Sequence, residues 1–422
     1  MNSRERLAAT LDHRQPDRVC VDFGATFVTG IHVSALTRLR RAVLGDDGFR
    51  VKVIEPYQML GEVDDELRAA LGIDVIGTLP RKSIFGTVQD NWKPFKAFDG
   101  TPCQVAGNFN TTIEPGTGDC LIYPEGDTSV PPSGRMPKGF HFFDAIIRQP
   151  PLDEDNLNPA DNTEDFSLLG EEDLAYNRAR KQWFEARPDR GSILIIPGAA
   201  FGDIALVPAP FLKNPKGIRD IEEWYYSTAA RKDYVLEVFA RQCEIAEANV
   251  RTLIDLYGDT VQVALLTGTD FGTQQAQFIS TEAYRELYQP FHRRLNDLIH
   301  RTSKWKTFIH SCGAVRALIP EFIASGFDIL NPVQCSAEGM EPRALKRDFG
   351  KDIVFWGGGV NTQKTIAFGT PEETYREVRE RIDIFNEEGG FVFNSIHNIQ
   401  ADTPTENMLA MFRAVHDSAG GA

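Results

Sequence analysis

The sequence predicts an α/β protein, a (β/α)8 barrel of the TIM type, because about eight short apolar segments alternate with helical segments along its 422 residues. Most of these segments are rich in β-branched or aromatic residues, and each is bounded by Gly, Pro or Asn, as strands usually are. Their almost continuous apolar character favours parallel strands that are covered on both faces. The predicted strands are 19–23, 74–77, 193–196, 261–266, 307–309, 328–330, 353–356 and 391–393.

Helical patterns separate these strands. The segment Thr370-Pro371-Glu372-Glu373 predicts a helix start, with Thr as N-cap, Pro at the first helical position and Glu at the third. The segment Thr403-Pro404-Thr405-Glu406 predicts the same start before the last helix. Residues 218–257 are expected to form one long helix or two consecutive helices, and 280–301 and 315–324 are expected to form two more.

One stretch, residues 94–165, interrupts the alternation. It is rich in Gly, Pro, Asp, Asn and Thr, and it contains no linker that would separate it as a domain. A loop-rich insertion of this length is typical of a lid, a cap on an active site or an oligomer contact. We therefore expect one domain, residues 1–422, that carries 94–165 as an inserted lid or cap, and a homodimer as a possible assembly.

Composition excludes several classes of partner. A hydrophobic content of 42% and a charged content of 25% are typical of a soluble globular protein. The formal net charge of −15 argues against binding to nucleic acid or to an anionic membrane. The most apolar long stretch, 192–212, contains three prolines and Asp203, so it is not expected to span a membrane.

The six cysteines are scattered without a disulfide framework, and the N-terminus begins with a polar amphipathic helix rather than an apolar leader. We therefore expect free thiols and a cytoplasmic location.

The segment His310-Ser311-Cys312-Gly313 is the strongest chemical signal. It follows a predicted strand, and residues two apart on a strand share a face. An imidazole and a thiol on one face can bind one borderline metal ion, with a third donor from Cys335 or His397. A lone His-x-Cys pair is also common as a buried thiol beside a hydrogen-bonded histidine. The position in the fold decides between these interpretations.

Active sites of such barrels lie at the carboxyl ends of the strands. Polar residues recur at these positions after strands four, five, six and eight: Asp270, Gln274, His310, Cys312, Gln334, Cys335, His397 and Asn398. We expect Asp270 and His397 to take part in catalysis, and Gln274, Gln334 and Asn398 to bind substrate. Four of these residues have a structural alternative: Asp270 could cap a turn, Gln334 and Cys335 could fill the core, and His397 could be a satisfied core histidine.

Other familiar catalytic motifs are missing from the sequence. It contains no Gly-x-Ser-x-Gly and no His-Glu-x-x-His, which argues against a serine hydrolase or a zincin protease. Gly357-Gly358-Gly359 does not match a dinucleotide fingerprint and is not followed by Lys and Ser or Thr. These glycines more simply allow a close backbone approach to a ligand or a loop.

The sequence resembles the uroporphyrinogen decarboxylase superfamily, which includes zinc-dependent methyltransferases that serve corrinoid proteins. The resemblance covers most of the chain and is best over about 261–415. It is carried by the segments 16–19 (PDRV), 269–274 (TDFGTQ), 310–313 (HSCG), 393–399 (FNSIHNI) and 402–404 (DTP). The resemblance implies a (β/α)8 barrel with its cleft at the strand ends, in agreement with the strand pattern.

Two branches of the superfamily differ at the site. In the methyltransferase branch, a His-x-Cys pair and a later cysteine near the last strand bind zinc. His310 and Cys312 match the pair, but His397 occupies the later position and Cys335 is an additional thiol, so the third ligand is left open. In the decarboxylase branch the last strand carries Asn-Leu-Gly-His-Gly, which residues 394–398 resemble. The arginine-rich segment that holds propionates there has no counterpart, because 28–32 reads VTGIH.

The resemblance therefore implies a zinc-dependent methyltransferase. Its zinc would be held by His310, Cys312 and either His397 or, alternatively, Cys335. Its substrate would be a small thiol, thioether or ether. Its methyl carrier would be a corrinoid such as methylcobalamin, free or on a corrinoid protein, or a folate. The alternatives are a decarboxylase acting on a porphyrinogen or another carboxylated substrate, and a non-catalytic barrel that binds a tetrapyrrole or another small ligand.

Overall fold

The protein is described by a computed structural model over residues 1–420. Eight parallel strands form the central sheet, in the order β1-β16-β15-β14-β13-β12-β11-β4. The backbone N–H of Asp74, which precedes β4, donates to the carbonyl of Val21 in β1 over 2.8 Å and joins the two edges. The strands are β1 Cys20–Val21, β2 Val53–Glu55, β3 Leu60–Gly61, β4 Val75–Thr78, β5 Lys93–Lys96, β6 Pro102–Val105, β7 Thr111–Ile113, β8 Cys120–Ile122, β9 Gly134–Met136, β10 Asp144–Ala145, β11 Gly191–Ile195, β12 Val263–Thr267, β13 Lys306–His310, β14 Ile329–Asn331, β15 Val354–Trp356 and β16 Phe391–Phe393.

Helices surround this sheet, as the predicted (β/α)8 barrel requires, and the eight predicted strands overlap its eight strands. The helices are α1 Ser3–Leu11, α2 Val33–Leu44, α3 Asp65–Ala70, α4 Glu171–Glu185, α5 Ile221–Ala230, α6 Lys232–Tyr257, α7 Thr281–Leu287, α8 Gln289–Thr302, α9 Ile319–Ala324, α10 Pro342–Phe349, α11 Thr365–Phe368, α12 Pro371–Phe385 and α13 Thr405–Asp417.

Alternate residues of each barrel strand enter two separate apolar clusters. Phe308 of β13 and Ile329 of β14 belong to the cluster inside the barrel, whereas Ile309 and Leu330 belong to the larger cluster beneath the helices. Because both faces of a strand are buried, the sequence shows apolar runs instead of an alternating pattern. The same alternation turns His310 inward at the end of β13, on the face of Phe308.

Helix starts were predicted with mixed success. Thr370 caps α12 through its side chain, and Glu373 completes the capping box. The same start predicted at Thr403 is wrong, because α13 begins at Thr405 with Pro404 in the N-cap position and no side-chain cap. The carbonyl of Pro404 instead accepts the N–H groups of Asn407 and Met408. Residues 218–257 form two helices, α5 and α6.

The insertion 94–165 holds more regular structure than its loop-rich composition predicted. Strands β5 and β6 form a hairpin, and β7 to β10 form a four-stranded antiparallel sheet. The insertion contacts the barrel mouth, since the Nε2 atom of His141 lies 2.9 Å from Oε1 of Gln400, beyond β16. The Nε2 atom of His32, beyond β1, lies 2.9 Å from the carbonyl oxygen of His141.

The six cysteines form no disulfide bonds with one another, as expected from their scatter. Among residues 1–420, no helix has both the length and the apolar character needed to cross a bilayer.

A buried ion cluster fixes the seam between β1 and β4. Asp74 is fully buried, and its carboxylate accepts hydrogen bonds from Arg6, Arg18, Ser3 and the N–H of Val21 at 2.7–3.0 Å. Arg18 belongs to the PDRV segment, so this part of the family resemblance has a structural role here.

Replacing this carboxylate should weaken the whole fold. We expect Asp74→Asn to lower the free energy of unfolding by about 3 kcal/mol or more, because two guanidinium groups lose their buried anionic partner. Chemical denaturation measures the change. The exposed Asp12 pairs only with Arg14, so Asp12→Asn serves as the control and should have little effect. Equal stability of the two variants would contradict this role of Asp74.

Candidate metal centre and active site

Three side chains from two strand ends converge at the mouth of the barrel. His310 is the last residue of β13, Cys312 lies two residues further on, and His397 follows β16. Their ligand atoms all lie within 4.8 Å of one another. The Nε2 atom of His310 is 3.4 Å from the Sγ atom of Cys312. The sequence expectation that these residues share one site therefore agrees with the geometry.

Asn331 fixes the orientation of the His310 ring. His310 and Asn331 are register partners in the parallel pair β13 and β14, so their side chains emerge on the same face. The Nδ2 group of Asn331 donates to the carbonyl of Trp356 over 2.8 Å, which turns Oδ1 toward Nδ1 of His310 at 2.6 Å. Hydrogen bonding thus assigns the proton of His310 to Nδ1, and the lone pair of Nε2 faces Cys312 and His397.

Asp270 joins the β12 loop to the thiol loop. Its Oδ1 accepts the backbone N–H of Cys312 at 2.7 Å and lies 3.7 Å from Nε2 of His310. The hydroxyl of Ser311 accepts the N–H of Phe271 at 3.0 Å. Asp270 therefore joins two loops that are distant in sequence, instead of capping its own turn as the structural alternative predicted, and its carboxylate lies beside the three donors.

Gly313 permits the tight turn after the thiol. Its φ of +92° lies in the left-handed region, and a Cβ atom there would come within 2.3 Å of the carbonyl group of Gly272. The side-chain oxygen of Gln334 accepts the N–H of Gly313 at 2.7 Å. A larger residue at position 313 would displace the loop that carries Cys312.

Burial keeps both imidazoles neutral. Desolvation lowers the pKa of His310 and lowers that of His397 to about 4. Burial raises the pKa of the Cys312 thiol, and the neighbouring Asp270 carboxylate raises it further. Neutral imidazoles bind metals directly, whereas the thiol must release its proton on binding.

These residues fit a zinc ion, the metal that the family resemblance implies. Two neutral nitrogen donors and one sulfur suit Zn²⁺, and three protein ligands are typical of a catalytic rather than a structural site. Asn331 supplies the outer hydrogen bond that such a histidine ligand usually makes.

Cys335, the alternative third ligand, lies outside this group. Its Sγ atom is 3.4 Å from the carbonyl oxygen of Val333 and 3.9 Å from that of Gly358. Burial raises its pKa to about 12. Of the two donors left open by the sequence, only His397 is within 4.8 Å of both members of the pair.

The three residues expected to bind substrate have other contacts. Asn398 is buried, with Oδ1 bound by the N–H of Gly30 and with Nδ2 donating to Phe27 and Gln58, so its hydrogen bonds hold the loop after β1. The oxygen of Gln334 is used by Gly313. Gln274 lies on an exposed bend, and its Nε2 group donates to Oε1 of Gln363 over 3.5 Å. The substrate role of these residues stays a prediction, and in this structure the Asn398 side chain and the Gln334 oxygen are already hydrogen-bonded within the protein.

Sequence reasoning missed Asn331 and Asp203. Asn331 follows the predicted strand 328–330 directly, and the register with His310 could have identified it. Asp203 was noted only as a polar interruption of an apolar stretch, yet its carboxylate is buried at the same mouth.

The bond from Asn331 to His310 can be tested without a metal. We expect Asn331→Ala to lower the free energy of unfolding by about 1–3 kcal/mol, since it removes two buried hydrogen bonds. The His310 ring should also lose its preference for a proton on Nδ1, which nitrogen-15 NMR of the metal-free protein detects. Gln274→Ala, at the exposed bend, is the control. An unchanged tautomer in Asn331→Ala would rule out this orienting role.

Comparison with known proteins agrees with this architecture. Residues 212–418 match the family described as uroporphyrinogen decarboxylase (URO-D). A methylated-thiol–coenzyme M methyltransferase from Methanosarcina mazei is 28% identical over 143 residues, which are 34% of this chain and 35% of that protein. The match thus spans about a third of the relative's length. The solved structure of a methyltransferase from Methanosarcina mazei superposes with a TM-score of 0.52 at 13% identity, over 99% of both chains, and shows the shared barrel fold. Residues 212–418 are thus similar to the uroporphyrinogen decarboxylase family, and the chain as a whole shares the barrel fold of the Methanosarcina mazei structure.

Proposed function

We propose that this protein is a zinc-dependent methyltransferase that moves a methyl group between a small thiol, thioether or ether and a corrinoid or folate carrier. The convergence of His310, Cys312 and His397 within 4.8 Å carries the proposal. The name of the Methanosarcina mazei relative, which acts on methylated thiols and coenzyme M, supports a methyl-transfer reaction and a sulfur substrate.

In this proposal the three side chains hold the metal and leave a position for the substrate heteroatom. Zinc supplies Lewis acidity, which favours a thiolate at neutral pH or polarises the leaving heteroatom of an ether or thioether. His310 reaches the site with its lone pair already directed, because Asn331 holds the opposite nitrogen. Asp270 keeps the Cys312 loop in place and adds negative charge beside it.

The insertion 94–165 serves as the lid of this site. Its His141 contacts Gln400, and the Nε2 group of Gln400 donates to the carbonyl of Asn398, next to His397. A movement of the insertion would therefore displace the loop that carries His397. The proposal also includes a cytoplasmic setting, a corrinoid protein as the carrier of the methyl group, and a homodimer as the assembly.

Residues 394–398 resemble the last strand of the decarboxylase branch, but the charges around the site argue against a tetracarboxylate substrate. The segment 28–32, at the place of the arginine-rich segment, is buried and contains no arginine or lysine. The charged groups that shift the pKa values of His310, Cys312 and His397 are Asp270 and, for His397, the neighbouring His310; no lysine or arginine among residues 1–420 is one of them. A tetracarboxylate would meet negative charge without a compensating guanidinium group.

Metal analysis tests the ligand set. We expect about one zinc per chain after loading and desalting, and much less in Cys312→Ser and His397→Ala, because each removes one of three protein donors. Cys335→Ser is the matched control, since it also removes a thiol near the mouth, and it should retain zinc. Inductively coupled plasma mass spectrometry measures the stoichiometry. Loss of zinc in Cys335→Ser with retention in His397→Ala would contradict the assignment.

Turnover tests the reaction. Zinc-loaded protein should demethylate free methylcobalamin in the presence of a small thiol, with the change in cobalamin absorbance as the readout. Cys312→Ser should reduce the rate at least about a hundredfold, as expected for loss of a metal that activates the nucleophile. Equal rates for the wild type and Cys312→Ser would refute the metal's role in turnover. Metal-independent decarboxylation of uroporphyrinogen would support the alternative.

A further inference from the structure

Asp203 presents an unused carboxylate oxygen at the barrel mouth. It lies in the loop after β11 and is 7% exposed. Its Oδ1 accepts the N–H of Ala205 at 2.9 Å, whereas Oδ2 has no hydrogen-bond partner among residues 1–420. Oδ2 is not among the fully buried polar atoms that lack a partner, so this oxygen of an otherwise buried side chain is accessible to a hydrogen-bond donor on a ligand.

The neighbouring loop is built to accommodate this carboxylate. A Cβ atom on Gly268 would lie 2.9 Å from Oδ2 of Asp203, so the glycine leaves the space that the carboxylate fills. The hydroxyl of Thr269 donates to the carbonyl of Phe201 over 2.7 Å and joins the loops after β11 and β12. Asp203 and Asp270 are thereby held in neighbouring loops on one side of the metal-binding residues.

Among residues 1–420, no lysine or arginine is one of the groups that shift the pKa of Asp203. Burial raises its pKa to about 7, and the Asp270 carboxylate raises it further. The charge of Asp203 also contributes to the raised pKa values of Tyr57 and Tyr225, so both hydroxyl groups lie near it. Two carboxylates without a basic partner attract a hydrogen-bond donor or a cation and repel an anion.

We infer that Asp203 is a specificity-determining residue, whose Oδ2 accepts a hydrogen bond from a hydroxyl or ammonium group on the substrate. This inference rests on the proposed function, in which the other end of the substrate lies at His310, Cys312 and His397. The preferred substrates are then small neutral or cationic thiols, or their methylated forms, that carry a donor group a few bonds from sulfur. Thiols with a carboxylate or sulfonate in that position are disfavoured.

The spacing of the strands sets a rough scale for such a substrate. Strand β11, which precedes the loop of Asp203, lies two strands from β13, and two strand spacings are about 10 Å. A molecule of two or three carbons between sulfur and the donor group can bridge a gap of this order.

Four thiols that differ in their second functional group test the inference. The probes are ethanethiol, 2-mercaptoethanol, cysteamine and 3-mercaptopropionate, titrated at pH 8 into the cobalt-substituted protein. Binding is followed through the sulfur-to-cobalt charge-transfer absorption, which reports affinity without turnover. The variants are Asp203→Asn, which removes the charge with little change of shape, and Asp297→Asn, an exposed control on α8.

We expect wild-type protein to bind cysteamine roughly tenfold or more tightly than ethanethiol, since a hydrogen bond to a charged group has about this value. 2-Mercaptoethanol should rank between them, and 3-mercaptopropionate should bind most weakly. Asp203→Asn should bring cysteamine and ethanethiol within about twofold, whereas Asp297→Asn keeps the wild-type order. Retention of that order in Asp203→Asn would overturn the inference and leave the proposed function intact.

Failure of the proposed function and failure of the role of Asp203 give different experimental results. Absence of cobalt binding, or of any thiol band, in wild-type protein would remove the proposed function and this inference together. Gly268→Ala provides a second variant that retains the charge but crowds Oδ2, and we expect it to reduce the preference for cysteamine at least threefold. Thermal unfolding of each variant establishes that the compared proteins are folded. If Asp203→Asn does not fold, an unchanged preference in Gly268→Ala overturns the inference.

Discussion

The parallel register of β13 and β14 is the constraint on which the candidate site depends. It pairs His310 with Asn331, directs both side chains inward and makes their 2.6 Å hydrogen bond a consequence of strand pairing. That bond decides which imidazole nitrogen faces Cys312. The barrel then brings the loop after β16, which carries His397, to the same point. A shift of one residue in either strand would turn one member of the pair toward the helices.

Chemistry at this mouth depends on burial without cationic compensation. Desolvation keeps the imidazoles of His310 and His397 neutral, as metal ligation requires. Burial also raises the pKa of Asp203, which lies in the loop next to that of Asp270. In such a site a divalent ion would be the main local positive charge, and it would reverse the preference of the Cys312 sulfur from thiol to thiolate.

The barrel could be predicted from the sequence because strands that are buried on both faces appear as continuous apolar segments, which loops rarely contain. The sequence also located His310 and Cys312, since their spacing is a local property of one strand end. The choice between His397 and Cys335 was not predictable, because it depends on how the loops after β14 and β16 fold back. Asn398 was expected to bind substrate, since the sequence gives no sign of its hydrogen bonds to Gly30 and Phe27, which are far away along the chain. Thr403 failed as a cap because Pro404 supplies a carbonyl in its place.

X-ray absorption at the zinc edge of the loaded wild-type protein identifies the atoms that bind the metal. We expect one sulfur and two imidazole nitrogens from the protein in the inner shell, with a remaining light ligand. A shell with two sulfurs would bring Cys335 into the site and displace His397. A shell of oxygen and nitrogen without sulfur would remove Cys312, and with it the metal centre described above.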